Sequence, residues 1–192
     1  MTNKIIVLGK TSQLGLSMQK VIKRCKSHMN KSFFFGFNQE LIFDDQNFFF
    51  ASRNDVNLQD PNDVNNFFKD QNFNAILNFT AYTSIDGAET KKKLAEQINY
   101  HAVAQLADIA KKKSIPLIHI STDYVFQGLN YKPYKETDET QPQNIYGISK
   151  LKGEKAILDS NCKGTIIRTS WLYSEFRNNF VKTMINLGKK RD

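Results

Sequence analysis

Lys4-Ile5-Ile6-Val7-Leu8-Gly9-Lys10-Thr11-Ser12-Gln13-Leu14-Gly15 decides the fold class of this chain. Lys4 to Leu8 is a short, β-branched apolar run stopped by Gly9, as expected of a strand covered on both faces. An amphipathic segment follows to about Cys25, with Leu14, Met18, Val21 and Ile22 on one side. The order is strand, glycine turn, helix. Such a helix start offers backbone N–H groups and a positive dipole end to a pyrophosphate, so Gly9, Ser12, Gln13 and Leu14 are candidate cofactor-binding residues. The glycine fingerprint is incomplete, because Ser12 holds its middle position.

Outward from this stretch the same alternation recurs. Phe48 to Ala51 reads as a second buried strand, Ala75 to Phe79 as a third, Ile115 to Ile120 as a fourth and Thr165 to Thr169 as a fifth. Between them lie helical patterns. One opens at Pro61 behind an Asp60 cap, one runs from Asp86 to the lysines at 111–113, and a last one spans Asn179 to about Leu187. Asp86 and Glu89 are spaced as a capping box. Strands alternating with helices predict a Rossmann-type, doubly wound parallel α/β sheet with helices on both faces, as a single domain over residues 1–192. The exits of such strands gather on one edge, where dinucleotides bind. Residues 33–37, Phe-Phe-Phe-Gly-Phe, are read as extra strand or as a loop over the sheet edge.

Two features at that edge carry chemistry. The second strand ends at Ser52-Arg53, where the adenosine ribose of a dinucleotide would lie. Arg53 suits a 2′-phosphate better than a 2′-hydroxyl, which favours NADP(H). Tyr146 and Lys150 are four residues apart and share one face of a helix. An ammonium one turn from a phenol favours the phenolate, lowers the phenol pKa, and makes the pair fit for proton exchange with an alcohol or carbonyl oxygen. Alone, such a pair is better read as an ordinary helix carrying an exposed Tyr and Lys, since both residues are common. Thr122 at the fourth strand exit and Trp171 at the fifth place it beside a crevice. His119, inside a strand, reads as a partnered core histidine.

Composition bounds the rest. With 192 residues, 40% hydrophobic and 24% charged, the chain can bury a core and is not of disordered composition. The net charge is +8, with lysine runs at 91–93 and 111–113. Both runs fall on helices and read as solvated faces; no nucleic-acid partner and no membrane partner are expected. Cys25 and Cys162 have neither metal-ligand spacing nor a disulfide framework, which suits free thiols and a cytoplasmic location.

Taken together, Gly9 to Gly15, Ala81 to Glu89, Ser121 to Gly128, Asn144 to Glu154 and Arg168 to Tyr173 resemble the dTDP-4-dehydrorhamnose reductases, within the extended short-chain dehydrogenase/reductase superfamily. The resemblance implies reduction of the C4 ketone of dTDP-6-deoxy-L-lyxo-4-hexulose to dTDP-L-rhamnose with NADPH, or NADH as the alternative. It implies that Tyr146 donates the proton, that Lys150 binds the nicotinamide ribose and lowers the Tyr146 pKa, and that Thr122 binds the substrate oxygen. It also assigns Asp123, Tyr124 and Trp171 to the dTDP-sugar, Asn57 and Leu58 to the adenine side, and Ala81, Tyr82 and Thr83 to the middle of the cofactor. Asn99 resembles the helix asparagine that supports the catalytic groups in the wider superfamily.

The chain departs from that pattern at Ser12 and at Asn57, where the family commonly has Asp. The C-terminal substrate domain is expected to be largely missing, its start lying near residues 171–192. The fold's sixth strand is then absent too, and an uncovered sheet edge is expected. No metal ligands are recognisable, so no metal is expected; a homodimer is compatible with the family. Two other readings stay open: an epimerase or dehydratase on nucleotide sugars, and a non-catalytic NADP-binding module like the regulatory subunit of methionine adenosyltransferase.

Overall fold

In the computed structural model, residues 4–27 and 45–190 are described. Five strands form one parallel sheet: β1 (Lys4–Leu8), β2 (Phe48–Ala51), β3 (Phe73–Asn78), β4 (Leu117–Thr122) and β5 (Gly164–Thr169), in the order β2-β1-β3-β4-β5. The helices are α1 (Gln13–Ser27), α2 (Pro61–Lys69), α3 (Ile85–Thr90), α4 (Lys92–Glu96), α5 (Ala102–Lys113), α6 (Ile145–Ser160) and α7 (Phe180–Gly188), with a π-helical turn at Gln97–His101. The Rossmann-type sheet expected from the sequence is the one found.

The register pairs Ile6 with Phe49 on one side and with Ile76 on the other. From β1 the chain steps outward to β2, then returns across β1 to β3 and continues to β4 and β5. Right-handed crossovers therefore put α1 on one face of the sheet and α2, α5 and α6 on the other. The point where the winding reverses, between the exits of β1 and β3, is where such sheets open a crevice.

The core explains why the strands were legible. Ile6, Leu8, Val64, Phe68, Ile76, Val103, Leu106, Leu117 and Ile157 pack into one buried cluster. Phe49, Phe67, Phe68 and Phe73 meet edge-on or tilted beneath β2 and β3, so part of the phenylalanine content serves the sheet's own packing. The expectation for residues 33–37 lies outside the described residues.

Asp60 caps α2 by accepting the N–H of Asn62, with Pro61 in the first position, as the sequence implied. Elsewhere, the continuous helix expected from Asp86 to the lysine run is divided. Lys91 leaves helical geometry at φ −116° and ψ 47°, and the π turn interrupts the path again. The capping box expected of Asp86 and Glu89 is not formed, because Ser84 caps α3 by accepting the N–H of Gly87. Glu89 is thereby released for a tertiary contact described below. α7 has no buried residue, and β5 forms one edge of the described sheet. Among the described residues no helix is long and apolar enough to cross a membrane.

Candidate active site

A cleft of about 580 Å³ opens at the switch point. The β1 turn lines one wall with Gly9, Thr11, Ser12, Gln13 and Leu14, and the β3 exit lines another with Phe79, Thr80, Ala81 and Thr83. Backbone geometry shapes the turn. Gly9 has φ +96°, where a side chain is strained. A Cβ on Gly15 would sit 2.2 Å from the Gly9 carbonyl oxygen, so the helix can start this tightly only with glycine there. Ser12 closes the turn by accepting the Gly15 N–H at 3.0 Å, which gives the departure from the usual glycine a structural use. The first turn of α1 carries no acidic residue, and its dipole favours an anion in the cleft.

At the adenosine end, Ser52, Arg53, Asn57, Leu58 and Gln59 line the cleft. Arg53 is exposed and donates to Gln59 Oε1 at 3.0 Å. The carboxylate nearest in sequence, Asp55, accepts from both the N–H and the hydroxyl of Ser52. Those bonds hold its pKa below the usual carboxylate value and commit it to the loop. A ligand at this end meets a guanidinium with an acid already occupied. The residues present fit a dinucleotide carrying a 2′-phosphate.

The catalytic candidates stand on α6 and the end of β4. Asn144 caps α6 by accepting the Gly147 N–H at 2.8 Å, and Glu89 accepts the Ile145 N–H at 2.8 Å from across the α3 turn. The buried positions of α6 (Gly147, Ser149, Lys150, Gly153, Glu154, Ile157) make one seam. Gly153 lets that seam close on the π turn, since a Cβ there would lie 2.2 Å from the Asn99 carbonyl oxygen. The approach lets buried Asn99 act as a clamp. Its Oδ1 accepts the Tyr82 N–H at 2.8 Å, and its Nδ2 donates to the Tyr82 carbonyl and to Ser149 Oγ, each at 3.0 Å. The π turn at Gln97–His101 is what sets Asn99 at this crossing.

Tyr146 is half-buried, edge-on to Tyr124 with ring centroids 5.7 Å apart, and its phenol stands beside Thr122. Thr122 Oγ1 accepts the Tyr124 N–H and donates to Asp123, whose other oxygen accepts from Ser170. Thr122, Asp123, Tyr124 and Tyr146 are thus one group. Lys150 is buried, with Nζ 2.7 Å from the Ile120 carbonyl oxygen and 3.0 Å from His119 Nε2. Ile120 lines the cleft, so the lysine amine is docked on the back of its wall.

The electrostatics differ from the sequence-based expectation. Burial pushes the Tyr146 phenol above its usual value, against the lowering effect of the Thr122 hydroxyl, and Asp123 and Tyr124 add to the rise. Burial brings Lys150 down from 10.5 to about 7, opposed by Glu154. Lys150 therefore does not lower the Tyr146 pKa in the ligand-free chain. Desolvation of both groups outweighs their mutual effect. The phenol stays protonated at neutral pH, which is the form a proton donor needs.

Glu154 is buried beneath Lys150 and paired with Arg168 of β5, whose Nη2 lies 2.6 Å from its carboxylate. Replacing Arg168 by methionine would leave that carboxylate buried and unpaired. Urea denaturation of Arg168→Met is expected to show a loss of about 3 kcal/mol, partly restored by adding Glu154→Gln.

Seven expected residues are not on the cleft's lining: Thr122, Asp123, Tyr124, Tyr146 and Lys150, which form the group just described, and Tyr82 and Trp171. Tyr82 does not line the cleft; its backbone is held by Asn99. Trp171 has φ +51°, is 68% exposed and stacks edge-on with Phe180, and Leu172 takes the place on the cleft wall. The sequence reading also missed Arg177, which lines the cleft and donates to the Thr11 carbonyl at 2.8 Å. No local pattern marks a residue whose partner is 166 positions away.

Comparison with known proteins agrees with this fold. The family described as the RmlD substrate binding domain matches residues 3–192. The dTDP-4-dehydrorhamnose reductase of Aggregatibacter actinomycetemcomitans is 46% identical over 119 residues, which are 62% of this chain and 40% of that protein. A dTDP-4-keto-6-deoxy-D-glucose reductase from Streptomyces niveus is 31% identical across 100% of this chain and 60% of its own length. The solved dTDP-4-dehydrorhamnose reductase of Bacillus anthracis, in complex with NADP, superposes with a TM-score of 0.82 at 33% identity, covering 100% of this chain and 62% of that one. The chain thus spans between about two fifths and three fifths of the length of these relatives.

Proposed function

The chain belongs to the family described as the RmlD substrate binding domain, and on that premise we propose that it takes part in reducing the C4 ketone of a dTDP-4-dehydro-6-deoxy sugar, dTDP-6-deoxy-L-lyxo-4-hexulose, to dTDP-L-rhamnose. The observation that carries the reading is the site's adjacency to the cleft: Ile120, on whose carbonyl Lys150 docks, lines the cleft, and Thr122 follows two residues on with Tyr146 beside it. Bound NADPH supplies the hydride for the ketone carbon. The chain's own residues do the rest. Tyr146 gives its phenolic proton to the ketone oxygen as that oxygen gains charge, and Thr122 orients the oxygen by hydrogen bonding. Lys150, docked behind the cleft wall at Ile120, would hold the ribose hydroxyls at the nicotinamide end of a bound cofactor. Asp123, Tyr124 and the exposed Trp171 form the near side of the sugar-nucleotide site, with the substrate region beginning near residues 171–192. A homodimer is the assembly compatible with this reading.

NADPH is favoured over NADH because Arg53 stands at the ribose end while Asp55 is tied to Ser52. Arg53→Ser is expected to weaken NADPH binding by about tenfold, the scale of one partly exposed charge-assisted hydrogen bond, and to leave NADH affinity unchanged. Fluorescence titration with both cofactors measures it.

The reading itself is tested by following NADPH oxidation with and without the dTDP-4-keto sugar and identifying the product. Sugar-dependent oxidation yielding dTDP-L-rhamnose supports it. NADPH binding without sugar-dependent oxidation would favour the non-catalytic NADP module, the alternative left open by the sequence.

A further inference from the structure

His119 is fully buried in β4 and takes no part in the chemistry above. Its Nδ1 lies 3.1 Å from Asn78 Nδ2 on β3, and its Nε2 lies 3.0 Å from Lys150 Nζ on α6. The direction of every hydrogen bond along this row is set at its far end. The Thr80 backbone N–H donates to Asn78 Oδ1 at 3.0 Å, and the Thr80 hydroxyl bonds the same oxygen. A backbone N–H can only donate, so the oxygen of the Asn78 amide faces Thr80 and its NH2 faces His119. Nδ1 of His119 is then the acceptor. Burial holds the imidazole neutral, and a neutral ring with a bare Nδ1 carries its proton on Nε2. That N–H points at Lys150. An ammonium has three donors and no acceptor, whereas an uncharged amine has a lone pair to receive it.

We infer that His119 is a positioning residue that donates Nε2–H to Lys150 and so favours the uncharged amine of Lys150 over its ammonium in the ligand-free chain. The amine's lone pair is directed at His119 and one of its N–H bonds at the Ile120 carbonyl. One N–H remains, fixed in direction by the other two bonds, for a hydroxyl arriving at the end of the cleft. That last assignment rests on the dinucleotide reading; the state of the amine does not.

The surroundings agree. Glu154, on the same helix, is the charge that favours the ammonium, and it is shared with Arg168 of β5. Around Tyr146, one turn earlier, stand Asp123 and Tyr124 from the turn after β4. Asn78 from β3, and Asn99 and Ser149 from the π turn and α6, are uncharged. With burial opposing the charged form, Lys150 titrates at about 7.

The test uses the ligand-free chain labelled with 15N at histidine and lysine, read by NMR. The His119 signals are assigned by their loss in His119→Gln. The expected result is a proton bonded to Nε2 of His119 and a Lys150 nitrogen in the amine form at about pH 9. His119→Leu should raise the Lys150 midpoint by about one pH unit or more, a tenfold change in acid constant, while His119→Gln, which keeps an N–H donor, restores most of it. A proton on Nδ1, an ammonium persisting at that pH, or a midpoint that neither variant moves would overturn the inference. If the variants fail to fold, the two wild-type signals decide it. None of these readouts involves NADPH, so failure of the functional reading would leave them unchanged.

Discussion

Tyr146→Phe is expected to slow sugar-dependent NADPH oxidation by about 100- to 10,000-fold, the range supplied by a positioned proton donor, while NADPH affinity stays within about twofold, since the change removes a single neutral hydroxyl. The phenol stands beside Thr122 and against the Tyr124 ring, so phenylalanine keeps the packing and loses only the proton. The pH dependence sharpens the expectation. Burial raises the Tyr146 pKa above 10.0, so the donor form persists through neutral pH. Tyr146 should therefore add no falling limb to kcat/KM below about pH 10. A limb near pH 7 that vanishes in Tyr146→Phe would restore the sequence-based expectation of a phenol lowered by Lys150. An unchanged rate in the variant would remove Tyr146 from the mechanism.

The second large effect is on stability. Lys150 holds its proton up to about 10.5 when unfolded and only to about 7 when folded. Between those values unfolding takes up a proton, so this group makes stability rise with pH, by up to about 1.4 kcal/mol per unit. Below about 7 both states are protonated and the full cost of burial is present. Lys150→Met should flatten that slope. The measurement is chemical denaturation of both proteins at several pH values from about 6 to 10, compared as a difference so that other titrating groups cancel. At neutral pH the gain is offset by the unpaired Ile120 carbonyl and His119 N–H, each worth about 1–3 kcal/mol. Parallel pH profiles for the two proteins would show that Lys150 keeps its proton in the fold.

Much of this fold was legible because strands buried on both faces are continuous apolar runs. Ile5 to Leu8 and Ile76 to Leu77 declare themselves without help from the rest of the chain, whereas Phe48 to Ala51, expected to be buried, is as apolar but lies at the edge of the described sheet with only Ala51 buried. Their exits then locate the cleft, and the glycine turn orients it. Local caps such as Asp60 were legible for the same reason: the partner lies within two residues. Contacts made only in the folded chain were not. Glu89 looked like half of a capping box, yet it holds the start of α6, 56 positions away. His119 read as a partnered core residue, and it is one. That its partners are Asn78 and Lys150 depends on the β3–β4 register and on the packing of α6 against β4. The sign of the Tyr146 shift was misread because sequence spacing gives the distance between two groups and not the water removed from each. Trp171 was placed by the order of strand exits alone, whereas its positive φ turns it outward and puts Leu172 on the cleft.

The central claim is that one cleft, opened where the sheet reverses its winding, holds NADP(H) from Arg53 to Tyr146. The structure of this chain with NADP+ bound tests it most directly. The account predicts the pyrophosphate on the residue 9–14 turn, the 2′-phosphate at Arg53, and the nicotinamide ring between Ile120 and Tyr146 with its ribose at Lys150. NADP+ bound outside this cleft, or bound with its nicotinamide at Arg53, would contradict it.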